Sequence, residues 1–197
     1  IAIHGDDVVH VRALGLDSGN RTLGHRFHSQ GMITIKNAAE YEITMETEGH
    51  IIPSYEKRKS NIQNQLQNES SKLDLILHDD EALLDEVTAL VESPKVYQAQ
   101  FDKEFLSIPE ECLILTMKTN QKYFPLFGPA GKLAEKFLLV SNMDLDDPSH
   151  IIEGNEKVVR PRLADAKFFY QGDMNTPLKE LAEKLKNVVY HNKIGRA

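Results

Sequence analysis

Hydrophobic positions along the chain follow two different periods. Leu83, Leu84, Val87, Leu90 and Val91 recur at the i, i+3, i+4, i+7 spacing that lines one buried face of a helix. Asp79 or Asp80 supplies its N-cap, and Ser93-Pro94 stops it. Two helices precede it, one running from an Asn37 cap to about Glu48 with Gly49 behind it, the other from a Ser54 cap to about Glu69. The latter has only Tyr55, Ile62 and Leu66 as inward candidates, so most of it faces solvent. Ser107-Ile108-Pro109 opens a fourth helix, with Glu110 and Glu111 at the positive end of its dipole.

Elsewhere the period is two, or the run is continuously apolar and β-branched. Residues 1–4 and 8–14 predict a hairpin about Gly5-Asp6-Asp7, with a second turn at 17–20. Short strands are expected at 33–35 and 96–101. Residues 123–127 and 137–141 pair as an antiparallel hairpin, in which Pro125 favours an edge or a bulge. From Asp147-Pro148 the pattern is helical, over roughly 153–171 and again over 178–189. Strands and helices mix without a βαβ rhythm, which predicts an α+β fold with a mixed, largely antiparallel sheet. The expected division is an α+β core domain over 1–150 and a helical segment over 151–197.

With 41% hydrophobic residues in 197, the chain can build a real core, and disorder is excluded as a description of the whole. A single cysteine, Cys112, rules out an internal disulfide framework or a cysteine-based zinc cluster within one chain. No apolar run approaches the roughly 20 residues of a membrane span, and the first residues lack the pattern of a signal peptide. A cytoplasmic protein is the expectation. The absence of an initiator Met suggests a piece of something longer. Charge changes the picture further: residues 1–152 hold 14 basic against 24 acidic side chains, while residues 153–197 hold 9 against 6. Such a balance does not describe a free-standing nucleic-acid binder, but it fits a module that offers one basic face to RNA within a larger assembly.

Candidate chemistry is sparse. His25-Arg26-Phe27-His28 sets two imidazoles three apart, but Arg21 and Arg26 oppose a cation there and favour an anion. Neither a nucleophile elbow nor a phosphate-cradling glycine loop is present. The acids Asp79, Asp80, Glu81, Asp85 and Glu86 read as helix capping rather than as a metal site. Two stretches exceed scaffold. Residues 116–126 (TMKTNQKYFPL) offer Lys118, Asn120, Gln121 and Lys122 as donors for phosphate or ribose. Residues 155–169 concentrate Lys157, Arg160, Arg162 and Lys167 around Pro161, which is expected to break or kink a helix. If helix resumes, Arg160 and Lys167 share a face, and Arg162 has Asp165 three positions on as a surface partner.

These stretches, together with residues 19–28 (GNRTLGHRFH), 84–92 (LDEVTALVE) and 154–169 (GNEKVVRPRLADAKFF), resemble the β subunit of the bacterial and plastid heterotetrameric glycyl-tRNA synthetases, from about Val8 to Gly195. Ser93 departs from the family pattern, which has Trp there. Relative to that family the chain looks like an internal piece, lacking an N-terminal part, an HD-like helical domain and an anticodon-binding domain. The resemblance implies a fold similar to the editing module of phenylalanyl-tRNA synthetase β subunits, followed by C-terminal helices. It also implies two partners: tRNA-Gly, and an α subunit that holds the ATP- and magnesium-using active site of an α2β2 enzyme, with no membrane involved. On that reading this piece is non-catalytic, needs no cofactor of its own, and supplies tRNA recognition and scaffolding. The alternative is an editing hydrolase in which His25, Arg26, His28 and Asn120 surround a pocket for mischarged tRNA.

Overall fold

The computed structural model describes residues 1–186, 188–191 and 195–196. Three short antiparallel hairpins come first. They are β1 (Ile3–His4) with β2 (Asp7–Val8), β3 (Arg12–Ala13) with β4 (Leu16–Asp17), and β5 (Arg21–Leu23) with β6 (Met32–Thr34). The single strand expected over 8–14 is therefore split. Gly15 at φ 79° lets the chain reverse after Ala13. The Ser18 hydroxyl then accepts from the Val11 N–H at 2.8 Å and donates to the Val9 carbonyl at 2.6 Å, satisfying backbone that a longer strand would have paired.

Asn37 caps a 3-10 turn over Ala38–Glu40 that runs into α1 (Tyr41–Thr47), its side chain accepting from the Glu40 N–H. Ser54 caps α2 (Tyr55–Lys72), whose buried stripe is Ile62, Leu66 and Ser70. Tyr55 stays at the surface and donates its hydroxyl to Asp85 at 2.8 Å. After β7 (Ile76–Leu77), Asp80 caps α3 (Glu81–Leu90), where Leu83, Leu84, Val87 and Thr88 are buried. Leu90 is exposed, because the helix ends there and Val91 is already extended.

β8 (Lys95–Gln100), α4 (Glu110–Gln121), β9 (Phe124–Phe127) and β10 (Leu133–Ser141) complete the centre of the molecule. The four-stranded sheet has the order β7-β9-β10-β8 and every neighbouring pair is antiparallel. Helices cover both faces, so apolar residues of successive positions in β8, β9 and β10 point into one or the other core. On one face Tyr97, Ala99, Phe137 and Leu139 pack against Leu113 and Met117 of α4. On the other, Val96, Leu126 and Leu138 meet Ile62 and Leu66 of α2 and Leu83, Leu84 and Val87 of α3. A smaller cluster, Ile33, Ile35 and Met45, holds the N-terminal hairpins to α1.

The two prolines meet their expectations differently: Pro125 sits beside a bulge, as one of its two expected positions required, and Pro161 does not break its helix. Pro125 lies in an inner strand, yet β7 pairs only with Leu126 and Phe127, and the β9–β10 register shifts opposite it. The missing N–H thus faces no complete ladder. Pro161 sits inside a continuous helix, α5 (Ser149–Met174). Pro161 is exposed there, as is Lys157, the residue whose carbonyl loses its helix bond, so that carbonyl lies on the solvent side of the helix and not against the core. Val159 and Leu163 of α5 belong to the core shared with α4 and the sheet. α6 (Leu178–Leu185) follows, and the helix expected up to 189 gives way to β11 (Val189–His191), paired with β12 (Gly195–Arg196). Among the described residues, no helix is long and apolar enough to cross a membrane.

Candidate nucleic-acid interface

Most of the basic side chains singled out in the sequence are held by acids of the same chain. Lys118, in the last turn of α4, pairs with Asp80, and Lys122, the left-handed residue that ends α4 at φ 60°, pairs with Glu86 at 2.8 Å. Both contacts bind α4 to the start and middle of α3. Asp80 thereby does two things, because its other oxygen accepts the Leu83 N–H at 3.0 Å. Burial pushes the Asp80 carboxyl up, but the Lys118 ammonium and the Leu83 amide outweigh it and leave it below the ordinary carboxylate range.

A group with a lowered folded pKa stabilises above its unfolded value and loses that contribution as the pH falls. Asp80→Ala is expected to lower the unfolding free energy by about 1–2 kcal/mol at pH 7. Asp80→Asn, which keeps the cap, costs less. The gap between wild type and Asp80→Asn, measured by urea denaturation, shrinks as the pH drops below about 4.

On α5, Arg160 lies 3.4 Å from Asp102 and Lys167 lies 3.0 Å from Glu104, with the Lys167 ammonium 5.9 Å from the centre of the Phe105 ring. The seven-residue spacing does put the two on one face, and that face clamps the turn at Lys103–Ser107 against the helix. Lys157 pairs within the helix with Glu153 at 3.6 Å. Arg162 is exposed and makes no ion pair among the described residues, with Asp165 or any other acid. Asn120 is exposed at the end of α4 and Gln121 is half-buried beside it. The structure therefore separates two groups of candidates, one around α3–α4 and one along α5, and leaves Arg162 as the basic residue of the second group with its guanidinium uncommitted.

The histidine pair is built into the fold. His25 is 2% exposed, and its Nε2–H donates to the Asn142 carbonyl at 2.7 Å. Its Nδ1 accepts from the backbone N–H groups of Phe27 and His28, each at 3.2 Å. Both ring nitrogens are thus in use, which leaves none for a metal. Asn142 in turn accepts from the Glu92 and Ser93 N–H groups through Oδ1, so one residue ties the end of β10 to two loops. Gly24 next to His25 lies so close to Gly49 that an added Cβ would meet the Gly49 carbonyl and Ser29 Oγ at 2.6 Å. His28 stacks on His25 with ring centres 4.5 Å apart, and its Nε2 accepts the Asp144 N–H at 3.3 Å. Arg26 points outward over the Phe27 ring.

His28 also lines an open cleft of about 550 Å3 with Glu46, His50, Ile51, Ser93 and Asp144. Neither His25, Arg26 nor Asn120 lines it, so the pocket expected around those residues is not brought together. The sequence reading missed Glu46, His50 and Asp144, which no local spacing connects. Among the described residues, no group of three or more His, Cys, Asp or Glu side chains is placed to hold a metal ion.

The sheet carries helices on both faces, with the candidate basic residues along α4 and α5, and comparison with known proteins specifies the family. The family model described as glycyl-tRNA synthetase beta subunit matches residues 1–197. The chain is 55% identical over 195 residues to the glycine–tRNA ligase beta subunit of Neisseria meningitidis serogroup B, 56% over 195 to that of Neisseria gonorrhoeae, and 53% over 196 to that of Methylobacillus flagellatus. Each match covers 99% of this chain and 28% of the relative. The chain belongs to the glycyl-tRNA synthetase beta-subunit family. It spans little more than a quarter of the length of these curated relatives.

Proposed function

We propose that this chain is a non-catalytic tRNA-recognition and scaffolding part of the β subunit of glycine–tRNA ligase, serving the ATP-dependent attachment of glycine to tRNA-Gly in the cytoplasm. The whole-chain family match is the observation that carries it. ATP and magnesium belong, on this reading, to an α subunit in an α2β2 enzyme, and no cofactor is needed here. The basic stretch after residue 152 forms one arm of the surface that meets RNA, with Arg162 as its principal phosphate contact and Asn120 and Gln121 as neutral donors on the other arm. Lys118, Lys122, Lys157, Arg160 and Lys167 contribute through the local field while their ion pairs hold the scaffold. A division into a 1–150 core and a 151–197 segment leading to a further domain remains part of this proposal, although α5 shares its inner residues with the core.

A second reading, an editing hydrolase, follows if the fold is similar to the editing module of phenylalanyl-tRNA synthetase β subunits, as the sequence resemblance implies. Its observable support is the cleft beside His28. Glycine, the smallest amino acid, leaves little for size-based proofreading to reject, so the first reading is preferred.

The test is titration of labelled tRNA-Gly into the chain at two salt concentrations, beside a non-cognate tRNA. Binding is expected to be weak and to fall steeply with salt, because few phosphate contacts are set on a body of net charge −7. Arg162→Ala is expected to weaken it about tenfold and to reduce the salt slope by about one phosphate contact. Arg160→Ala is expected to act less on binding, since Asp102 already holds that guanidinium. Identical isotherms for Arg162→Ala and wild type would remove Arg162 from the interface. Release of alanine from mischarged tRNA would instead establish the editing reading.

A further inference from the structure

The last third of α5 and the whole of α6 carry apolar residues on the wrong side. The inner stripe of α5 runs through Ile151, Val159, Leu163, Ala166 and Tyr170 into the core. Phe168 and Phe169 lie off that stripe, 71% and 65% exposed, and their rings meet edge to face at 5.6 Å. Met174 is 70% exposed at the helix end. In α6, Leu178, Leu181 and Leu185 fall at i, i+3 and i+7, a single stripe, opposite Lys179, Glu180, Glu183 and Lys184. Leu178 is 83% exposed, and the helix has no buried residue at all. Eight residues do not hold a helix in water by propensity alone, so an amphipathic helix of this length requires a surface to lie against.

The chemistry of the run selects its occupant. Phe168 and Phe169 offer rings on which a base can stack, but Met174, Leu178 and Leu185 neither stack on bases nor bind phosphate, and between residues 168 and 186 three lysines are balanced by Asp173, Glu180 and Glu183, which leaves no counterion-release drive for RNA. An apolar protein surface fits. A few side chains expose too little area for a stable association of separate molecules, which takes roughly 800 Å2 per partner. They suffice for a segment of the same polypeptide, whose effective concentration is on the order of millimolar. The relatives carry such polypeptide, since this chain spans only 28% of their length. We propose that the exposed apolar side chains at the end of α5 and along α6, Phe168, Phe169, Met174, Leu178 and Leu185, are docking sites for the further chain of the same β subunit. The inference goes beyond tRNA recognition and stands whether or not this chain binds RNA.

Hydroxyl-radical footprinting read by mass spectrometry tests it without mutation. Oxidation of Phe168, Phe169 and Met174 is compared in the 197-residue chain, in a full-length β subunit carrying this sequence, and in that subunit with the α subunit or with tRNA-Gly added. Met45 and Met117, both buried, serve as internal standards. The expected result is at least a fivefold drop in oxidation from the short chain to the full-length β subunit, with no further drop on adding either partner. Equal oxidation in those two states overturns the proposal. A drop that appears only with the α subunit, only with tRNA, or only as the short chain is concentrated overturns it equally, and reassigns these side chains to a subunit contact, to RNA or to self-association. As a second readout, Phe169→Glu is expected to leave the melting temperature of the 197-residue chain within a degree or two and to lower that of the full-length β subunit clearly. Equal shifts in both would also refute it.

Discussion

Phe137→Ala lowers the unfolding free energy by about 4 kcal/mol. Phe137 is fully buried in the middle of β10, the strand that pairs with both β8 and β9. Its ring stacks on Tyr123 at 4.6 Å, and the cluster around it joins the sheet to Leu113 and Met117 of α4 and to Val159 and Leu163 of α5. Truncation removes the transfer free energy of a benzyl group and leaves a cavity that three surrounding elements fix in place. Tyr123 then loses its stacking partner, although its hydroxyl still donates to Asn155 Oδ1 at 2.7 Å. Burial holds that hydroxyl protonated, its pKa pushed up to about 12, so the hydrogen bond persists across the whole pH range in which the comparison is made. Leu115→Ala on the exposed side of α4 serves as the reference and costs well under 1 kcal/mol. Urea denaturation of the two variants measures the difference. A loss below 1 kcal/mol at Phe137 would show that this core repacks rather than holds its shape.

His25→Phe is expected to cost about 3 kcal/mol although it adds apolar volume. The substitution removes an acceptor from two amides and a donor from one carbonyl, at hydrogen bonds that are partly buried. Each group left unsatisfied costs about 1–3 kcal/mol, and partial access of water to the Phe27 and His28 amides keeps the sum at the lower end. Because the Asn142 carbonyl anchors the end of β10 while Asn142 Oδ1 holds the loop at Glu92 and Ser93, the loss is expected to spread to both segments. Hydrogen exchange should show the Phe27, His28, Glu92 and Ser93 amides deprotected together. Zinc added to the wild type is expected to leave the melting temperature unchanged, because both imidazole nitrogens of His25 are occupied. A zinc-dependent rise would return His25 and His28 to the list of metal ligands.

The helices were the legible part. Asn37, Ser54 and Asp80 each cap the helix that the sequence assigns to them, because a cap is chemistry between residues three apart and needs no tertiary context. The buried positions Leu83, Leu84 and Val87 follow from spacing for the same reason. The small strands were not legible. Arg21–Leu23 and Ile76–Leu77 are too short to carry a period, and each exists because a partner strand, β6 or β9, lies alongside. Of the break or kink expected at Pro161 the break does not occur, since the cost of proline in a helix depends on whether the carbonyl it orphans lies in the core or on the solvent side. The candidate site divided in the same way. Residue types could single out basic side chains as candidates, but whether a basic group is offered to RNA or consumed by a neighbour depends on residues far away in the chain, such as Asp80 for Lys118 and Asp102 for Arg160.

Family membership, the α+β class and the helix starts are determined by the sequence itself, because they rest on long residue patterns or on interactions within one turn. The tertiary structure decided which basic group stays free, which imidazole is locked, and which apolar side chains are left without a partner. Each of those depends on groups brought together from 20 to more than 100 residues apart, as His25 and Asn142 are, and on the desolvation and charge pairing that only their packing creates.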